Sequence, residues 1–442
     1  MTPSIDSRYY ATPFKSAMAS LAAIAMVSVL HGAELTDQAV LSVETAIEAA
    51  VRDNPGLAEM RSRYAAMAEI PSQAGALPDP VLSFAAMNLP MDTFNRDQEA
   101  MTQMQLGFSQ LFPFPGKRGL REQAAEFEAR AAFFSIDEMR LRLINQVVSK
   151  WWQVYYLDRA VDTVESNRLL LAQFIEVART KYETGTGLQQ DVLLAQLELS
   201  KLLDQEIQIE SLRRNQAIRL NVLMDRTPQA VVQLPEVVAD SLPAILSENE
   251  LYRLAEAARP LLKNLEQAVA AASTRLDLAK RNYYPDFNVS VTYGNRAGRN
   301  PPPIGGSRSD FLSFMVGIKI PLYSGRKQSR AVSQRSSEVQ RQRYSLMDEK
   351  SQVMADISSA VTDYRRAQAQ LSLFADGIVP QAGQTVQSML AGYQVSEVDF
   401  LNLVRSQVTL FNYELQYWKA LSEANQALSW LQSVVGEESI YE

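Results

Sequence analysis

Leu312-Ser313-Phe314-Met315-Val316-Gly317-Ile318-Lys319-Ile320 is the stretch on which the fold turns. Leu312, Phe314, Val316, Ile318 and Ile320 fall on one side of an extended chain, and Ser313, Met315, Gly317 and Lys319 on the other. Side chains alternate with period two along a strand, so this segment has one apolar face and one wet face. It is also as long as the roughly 9–11 residues that a tilted strand needs to cross a bilayer. Just upstream, Phe287-Asn288-Val289-Ser290-Val291-Thr292-Tyr293-Gly294 alternates in the same way. The pattern predicts strands at about 286–294 and 311–321. The first half of the chain holds weaker versions, with Leu82, Phe84 and Ala86 in one and Met104, Leu106 and Phe108 in the next, which predicts strands at about 80–88 and 101–112. Tyr283, Tyr284, Tyr323 and Phe112 sit near the strand ends, as interfacial aromatics do. The alternation alone also fits a soluble hairpin lying on helices.

The connections within each hairpin have turn chemistry. Residues 89–100 carry Pro90, Asp92, Asn95 and Asp97, and residues 295–309 carry Pro301-Pro302-Pro303 and Gly305-Gly306. Two hairpins make four strands, which cannot close on themselves. An open sheet edge in lipid leaves backbone groups without partners. A membrane reading therefore requires assembly, and three copies would close a twelve-stranded barrel.

The hairpins belong to a longer repeat. Pro55-Gly56-Leu57 is matched by Pro260-Leu261-Leu262, and Pro78-Asp79-Pro80 by Pro285-Asp286-Phe287. Pro113-Phe114-Pro115-Gly116-Lys117-Arg118 is matched by Pro321-Leu322-Tyr323-Ser324-Gly325-Arg326-Lys327, and Tyr182-Glu183-Thr184-Gly185 by Tyr393-Gln394-Val395-Ser396. The landmarks keep their order, and the offset between copies drifts smoothly by a few residues, which is the mark of a duplicated unit. The division predicted is a first copy over 34–228, a linker over 229–246 and a second copy over 247–442.

After Gly116 no proline occurs until Pro228, and the stretch is rich in Ala, Leu, Gln, Glu and Arg, all strong helix formers. It reads as a helix from about 118 to 183, a turn at Thr184-Gly185-Thr186-Gly187 and a returning helix to about 225; the second copy has long helices over 325–437. The first of these is roughly 100 Å long at 1.5 Å per residue. A helix of that length needs a partner along its side. Leu188, Val192, Ala195, Leu199 and Leu202 keep the average 3.5 spacing of a coiled-coil seam, as do Leu403, Ser406, Leu410, Tyr413, Tyr417, Ala420, Ala424 and Ala427. A long soluble scaffold would share this helical pattern.

Composition narrows the function classes. The 442 residues carry a net charge of −7 and no cysteine. No basic stripe is present to neutralise phosphates, so nucleic acid is not an expected partner. The single histidine, His31, lies in an apolar run that follows Arg8 and Lys15 and ends at Gly32 and Ala33. That is the pattern of a secretory signal peptide over 1–33, although His31 is a poor residue before the cut. The remaining chain would hold neither Cys nor His, which removes Cys/His nucleophile–base pairs and zinc sites. No phosphate-cradling Gly-rich loop or paired loop carboxylates appear, so no enzyme activity, cofactor or resident metal is expected.

In order and motif the chain resembles the TolC-type outer membrane efflux proteins. The marks are Lys181-Tyr182-Glu183-Thr184-Gly185 with Asp191-Val192-Leu193-Leu194-Ala195-Gln196, the Phe112–Gly119 segment, Ile320-Pro321-Leu322-Tyr323-Ser324-Gly325 and Ile378-Val379-Pro380-Gln381-Ala382. Pro113-Phe114-Pro115-Gly116-Lys117-Arg118 is similar to members that serve heavy-metal cation pumps. The resemblance implies a mainly α-helical chain with a membrane β-barrel portion: a homotrimer with a twelve-stranded barrel in outer membrane lipid above a helical tunnel in the periplasm. Its partners would be a periplasmic adaptor protein and an inner-membrane RND-type pump. The function implied is passive export of metal cations or small toxic compounds, with a type I protein secretion duct as the alternative within transport.

By the same resemblance, adaptor-docking tips map to Gly185, Thr186, Gly187 and Leu188 and to Ser396, Glu397, Val398 and Asp399. Ser396 stands where the family usually has glycine, which predicts a differently shaped second turn. The periplasmic gate candidates are Asp191, Asn402 and Arg405; some relatives have two acids where Asn402 and Arg405 stand. Glu397 and Asp399 could substitute as a carboxylate ring or simply complement a helix N-terminus. Ser313 and Lys319 are expected to face the barrel lumen. Met87, Met91, Met101 and Met104 cluster around the first loop; thioethers suit Cu(I) or Ag(I), but Met is also a common apolar filler.

Overall fold

The computed structural model describes residues 40–437 and 440–441, so the expected signal segment lies outside the described residues. Three short helices come first, α1 (Val43–Asp53), α2 (Pro55–Ala68) and α3 (Ile70–Gly75), followed by strands β1 (Val81–Met87) and β2 (Gln103–Phe112). Helices α4 (Lys117–Glu183) and α5 (Gln189–Leu223) complete the first half. The second half runs α6 (Glu248–Ala258), α7 (Pro260–Arg281), β3 (Asp286–Asn295), β4 (Phe311–Lys319), α8 (Gln328–Leu373), α9 (Val379–Gln394) and α10 (Phe400–Val435).

Local sequence explains the boundaries. Pro55 and Pro260 open α2 and α7 at the first helical position, where a missing N–H costs nothing. Asn54 Oδ1 accepts from the amides of Gly56 and Leu57, and Ser247 and Glu250 form a capping box on α6. Gly436, at φ +80°, ends α10.

The long helices pair along their sides. α4 packs against α5, α7 and α10, and α8 against α7 and α10. Midway along α4, Trp151, Tyr155, Leu220, Met224, Phe374 and Leu421 share one core; nearer the α4–α5 turn, Leu171, Phe174, Ala195, Tyr393, Phe400 and Leu403 share another. The linker after α5 is tied to the end of the chain: Leu246 N–H donates to Ile440 O at 3.0 Å, and Ile245 bridges Tyr441. One feature departs from the continuous helix expected between β4 and the second turn. Phe374–Ile378 form a π turn between α8 and α9. Pro380, in the first turn of α9, has no N–H for the helical ladder, and a widened turn just before it accommodates the loss.

The four strands form one antiparallel sheet in the order β1-β2-β3-β4, with β1 and β4 each paired on one side only. The register sorts its faces. Leu82–Phe108–Val291–Phe314 and Phe84–Leu106–Tyr293–Leu312 are rows across one face, and Phe84 and Phe314 are 73% and 74% exposed. The opposite face carries Ser83, Gln105, Ser109, Asn288, Ser290, Thr292 and Ser313. The two hairpin loops are clasped together. Arg296 donates to Ala100 O, Arg308 donates to Asp97 O and Glu99 O, and Arg96 donates to Asn295 Oδ1.

Candidate functional site

The α4–α5 and α9–α10 turns lie side by side, at the opposite end of α4 from the sheet. In the first turn the amides of Thr186 and Gly187 both donate to Lys181 O, at 2.8 and 2.9 Å, and Gly185 sits at φ +75°. In the second, Glu397 N–H donates to Gly392 O at 2.9 Å, and Ser396 sits at φ +66°. Gly392 corresponds to Lys181 in the repeat and Ser396 to Gly185, so the two turns have the same shape. The expectation of a differently shaped second turn is corrected: serine occupies the left-handed position that glycine holds in the first copy. That conformation is unfavourable for a residue with a Cβ. A cross-hairpin bond from Lys181 Nζ to Ser396 Oγ, 2.8 Å long, helps hold it.

Around that bond the hairpins share a small polar and aromatic cluster. Lys181 Nζ lies 5.0 Å from the centre of the Tyr393 ring, a cation–π distance, and Tyr393 packs on Phe400. The Tyr393 hydroxyl donates to Asp191 over a long 3.4 Å. Burial, with the Asp191 charge nearby, pushes the Tyr393 hydroxyl up to about 12. Burial also raises Asp191 above the usual carboxylate range, against the hydrogen bond from Tyr393.

Leu188, Glu397 and Asp399 are exposed, and Val398 is half-buried with its side chain close over Gly392. Asp399 occupies the N-cap position of α10 but its side chain accepts no capping bond. The three gate candidates are not brought together within one chain. Asp191 turns toward Tyr393, whereas Asn402 and Arg405 are exposed on the outer surface of α10. Nor do the methionines assemble: Met87 lies on the polar face of the sheet, Met104 on the apolar face, and Met91 and Met101 in the loop.

The raised Asp191 carries a pH prediction. A carboxylate that binds its proton more tightly when folded than when unfolded gains stability for the fold in acid, and that gain is lost as pH rises through the folded value. The paired turns are therefore expected to be tighter below the folded Asp191 value than at neutrality. Hydrogen exchange of the amides at 188–195, corrected for intrinsic rate, is expected to be more protected in acid, and Asp191→Asn is expected to flatten this dependence.

Sequence reasoning missed a polar group buried between α4 and α10. Gln407 Nε2 donates to Asn167 Oδ1, and Asn167 Nδ2 donates to Glu414 at 3.3 Å. Burial raises Glu414 above its ordinary range. Asn167 and Gln407 fall at inward positions of their helices, but the sequence does not say which helices face one another. The junction between sheet and helices was also missed. Lys117 Nζ donates to Asp286 Oδ1 and to Tyr284 O, each at 2.8 Å, and Phe114 N–H donates to the same Asp286 oxygen at 2.9 Å.

Comparison with known proteins agrees with this architecture. The outer membrane efflux protein family model matches residues 251–437, from α6 to the end of α10. Nodulation protein T of Rhizobium leguminosarum bv. trifolii is 22% identical over 46% of the chain, and the match spans 44% of that protein, about half its length. The cobalt-zinc-cadmium resistance protein CzcC of Cupriavidus metallidurans is 20% identical over 90% of each chain. Among solved structures, the outer membrane protein VceC of Vibrio cholerae has a TM-score of 0.75 at 20% identity, covering 89% of this chain and 96% of that one. The chain is thus similar to the outer membrane efflux protein family over its second copy, and it shares the fold of a solved outer membrane protein along both copies.

Proposed function

We propose that the chain is one of three subunits of a passive export duct through a bacterial outer membrane. The observation that carries this reading is the four-stranded sheet with one exposed apolar face, one polar face and two unpaired edges, set at one end of a set of paired helices of which the longest, α4, is roughly 100 Å long. Joining β4 of one subunit to β1 of the next removes both edges. Three subunits close twelve strands into a barrel, with Phe84, Phe314 and their rows in lipid and Ser313 and Lys319 in the lumen. Residues 1–33 are the cleaved signal segment. The copies over 34–228 and 247–442, joined by 229–246, each supply a hairpin to the barrel and a helical pair to a periplasmic tunnel.

The turns at Gly185–Leu188 and Ser396–Asp399 are the docking tips for a periplasmic adaptor, which couples the duct to an inner-membrane RND-type pump. Asp191, Asn402 and Arg405 line the periplasmic exit, where neighbouring subunits meet. The duct takes no cofactor and does no chemistry. Its cargo is small toxic compounds or metal cations, the latter favoured by the likeness to a cobalt-zinc-cadmium resistance protein along nearly the whole chain. Survival of a deletion strain tests this directly. Sensitivity to metals or small toxic compounds, restored by the gene, is expected; an unchanged strain that fails to export a large secreted protein would replace efflux with protein secretion.

A further inference from the structure

The polar face of the sheet has only two ionisable residues, Asp286 and Lys319, and the register places them directly opposite each other on β3 and β4. Opposite charges so placed would ordinarily cancel. Here they do not, because Asp286 is already engaged from below. Its Oδ1 takes both the Lys117 ammonium and the Phe114 amide, and the Lys117 side chain is 4% exposed. Lys319 is exposed and enters no ion pair among the described residues. Lys327, at the start of α8, borders the same cavity of about 310 Å³ as Lys117, Asp286 and Lys319, and likewise enters no ion pair among the described residues. The junction of sheet and helices thus carries a neutralised pair and two uncompensated ammonium groups.

We propose that Lys319 and Lys327 form a cationic collar at the base of the barrel, so that the duct passes anionic solutes more readily than cations of similar size. This rests on the trimeric duct above, in which three copies set six positive charges around one water-filled bore. Walls of low dielectric focus the field of such a ring, and rings of lysine or arginine are how anion-selective pores are built. The consequence for cargo is specific. Within the cargo classes proposed above, free metal cations still pass but cross the collar more slowly than anionic organic compounds or anionic complexes of a metal.

The chain has no cysteine, so a single introduced thiol reports its local potential without interference. Met315 lies on the polar face of β4, four residues from Lys319 and so about 13 Å away. The experiment uses Met315→Cys in the full-length protein in outer membranes, with two membrane-impermeant methanethiosulfonate reagents, one bearing a sulfonate and one a trimethylammonium group. At about 10 mM salt the screening length is about 30 Å, long enough for the collar to be felt. The sulfonate-to-ammonium rate ratio, normalised to a free thiol in solution, is expected to fall about fivefold when Lys319→Gln and Lys327→Gln are added. Raising the salt should lower the ratio in the Met315→Cys protein alone, a reading that needs no lysine variant to fold. A ratio unchanged by both the substitutions and the salt overturns the collar while leaving the duct intact. A Met315→Cys thiol that neither reagent reaches, with Val316→Cys labelled instead, overturns the assignment of faces, and the duct and collar fall together.

Discussion

Gly187→Val is expected to abolish export, reducing survival on the cargo to that of a strain lacking the gene, while the trimer still assembles in the outer membrane. The turn leaves no room for a side chain at this position. A Cβ there would lie 2.7 Å from Lys181 Cβ and 3.1 Å from the Lys181 carbonyl carbon, and that carbonyl accepts the two amides that form the turn. Valine must therefore open the turn and displace the Lys181 ammonium from Ser396 and Tyr393 on the neighbouring hairpin. Gly185→Val should act in the same direction for a different reason. Its surroundings are open, but at φ +75° a β-branched residue is strained by about 1–3 kcal/mol. Gly119, near the start of α4, also has open surroundings without that backbone demand, so Gly119→Ala should export normally. Normal resistance with Gly187→Val would remove the tips from the docking account.

Asp286→Ala is expected to be the most destabilising change at the junction of sheet and helices. It leaves the Lys117 ammonium buried with Tyr284 O as its remaining partner, and deprives the Phe114 amide of its acceptor. Removing one member of a buried ion pair costs about 3–5 kcal/mol, and the partial exposure of Asp286 places the effect near the low end. The measurement is the temperature at which the detergent-solubilised trimer dissociates into monomers on a gel. Asp286→Ala should lower it clearly. Adding Lys117→Met should restore part of the loss, because the stranded charge is then gone. Equal dissociation temperatures for Asp286→Ala and the unsubstituted protein would mean that the pair does not hold the junction together.

The strand faces are legible in the sequence because period-two alternation needs no knowledge of neighbours. Leu312, Phe314, Val316 and Ile318 declare a face by themselves, and the observed register joins them to the apolar rows of the other three strands. The long helices are legible from the absence of proline between Gly116 and Pro228, and observed α4 begins and ends within a residue of the expected 118–183. Other features depend on which elements meet. The Asn167–Gln407–Glu414 group requires that α4 face α10, and Lys117 looks like an ordinary surface lysine until Asp286 is placed beside it. The π turn departs from the unbroken helix read from the sequence there, although Pro380 cannot supply an N–H to the helical ladder. The second tip shows the limit of reading by residue type. Serine in place of glycine reads as a changed turn, but the backbone keeps its left-handed residue, and a lysine from the other hairpin supports it.

In the proposed duct, four strands with two open edges become a closed barrel only in a trimer. Native mass spectrometry of the full-length protein, extracted in detergent from the outer membrane fraction, tests this most directly. A single assembly of three chains that resolves into monomers on heating is expected. A monomer in the detergent extract, or a protein recovered only in the soluble fraction, would contradict it.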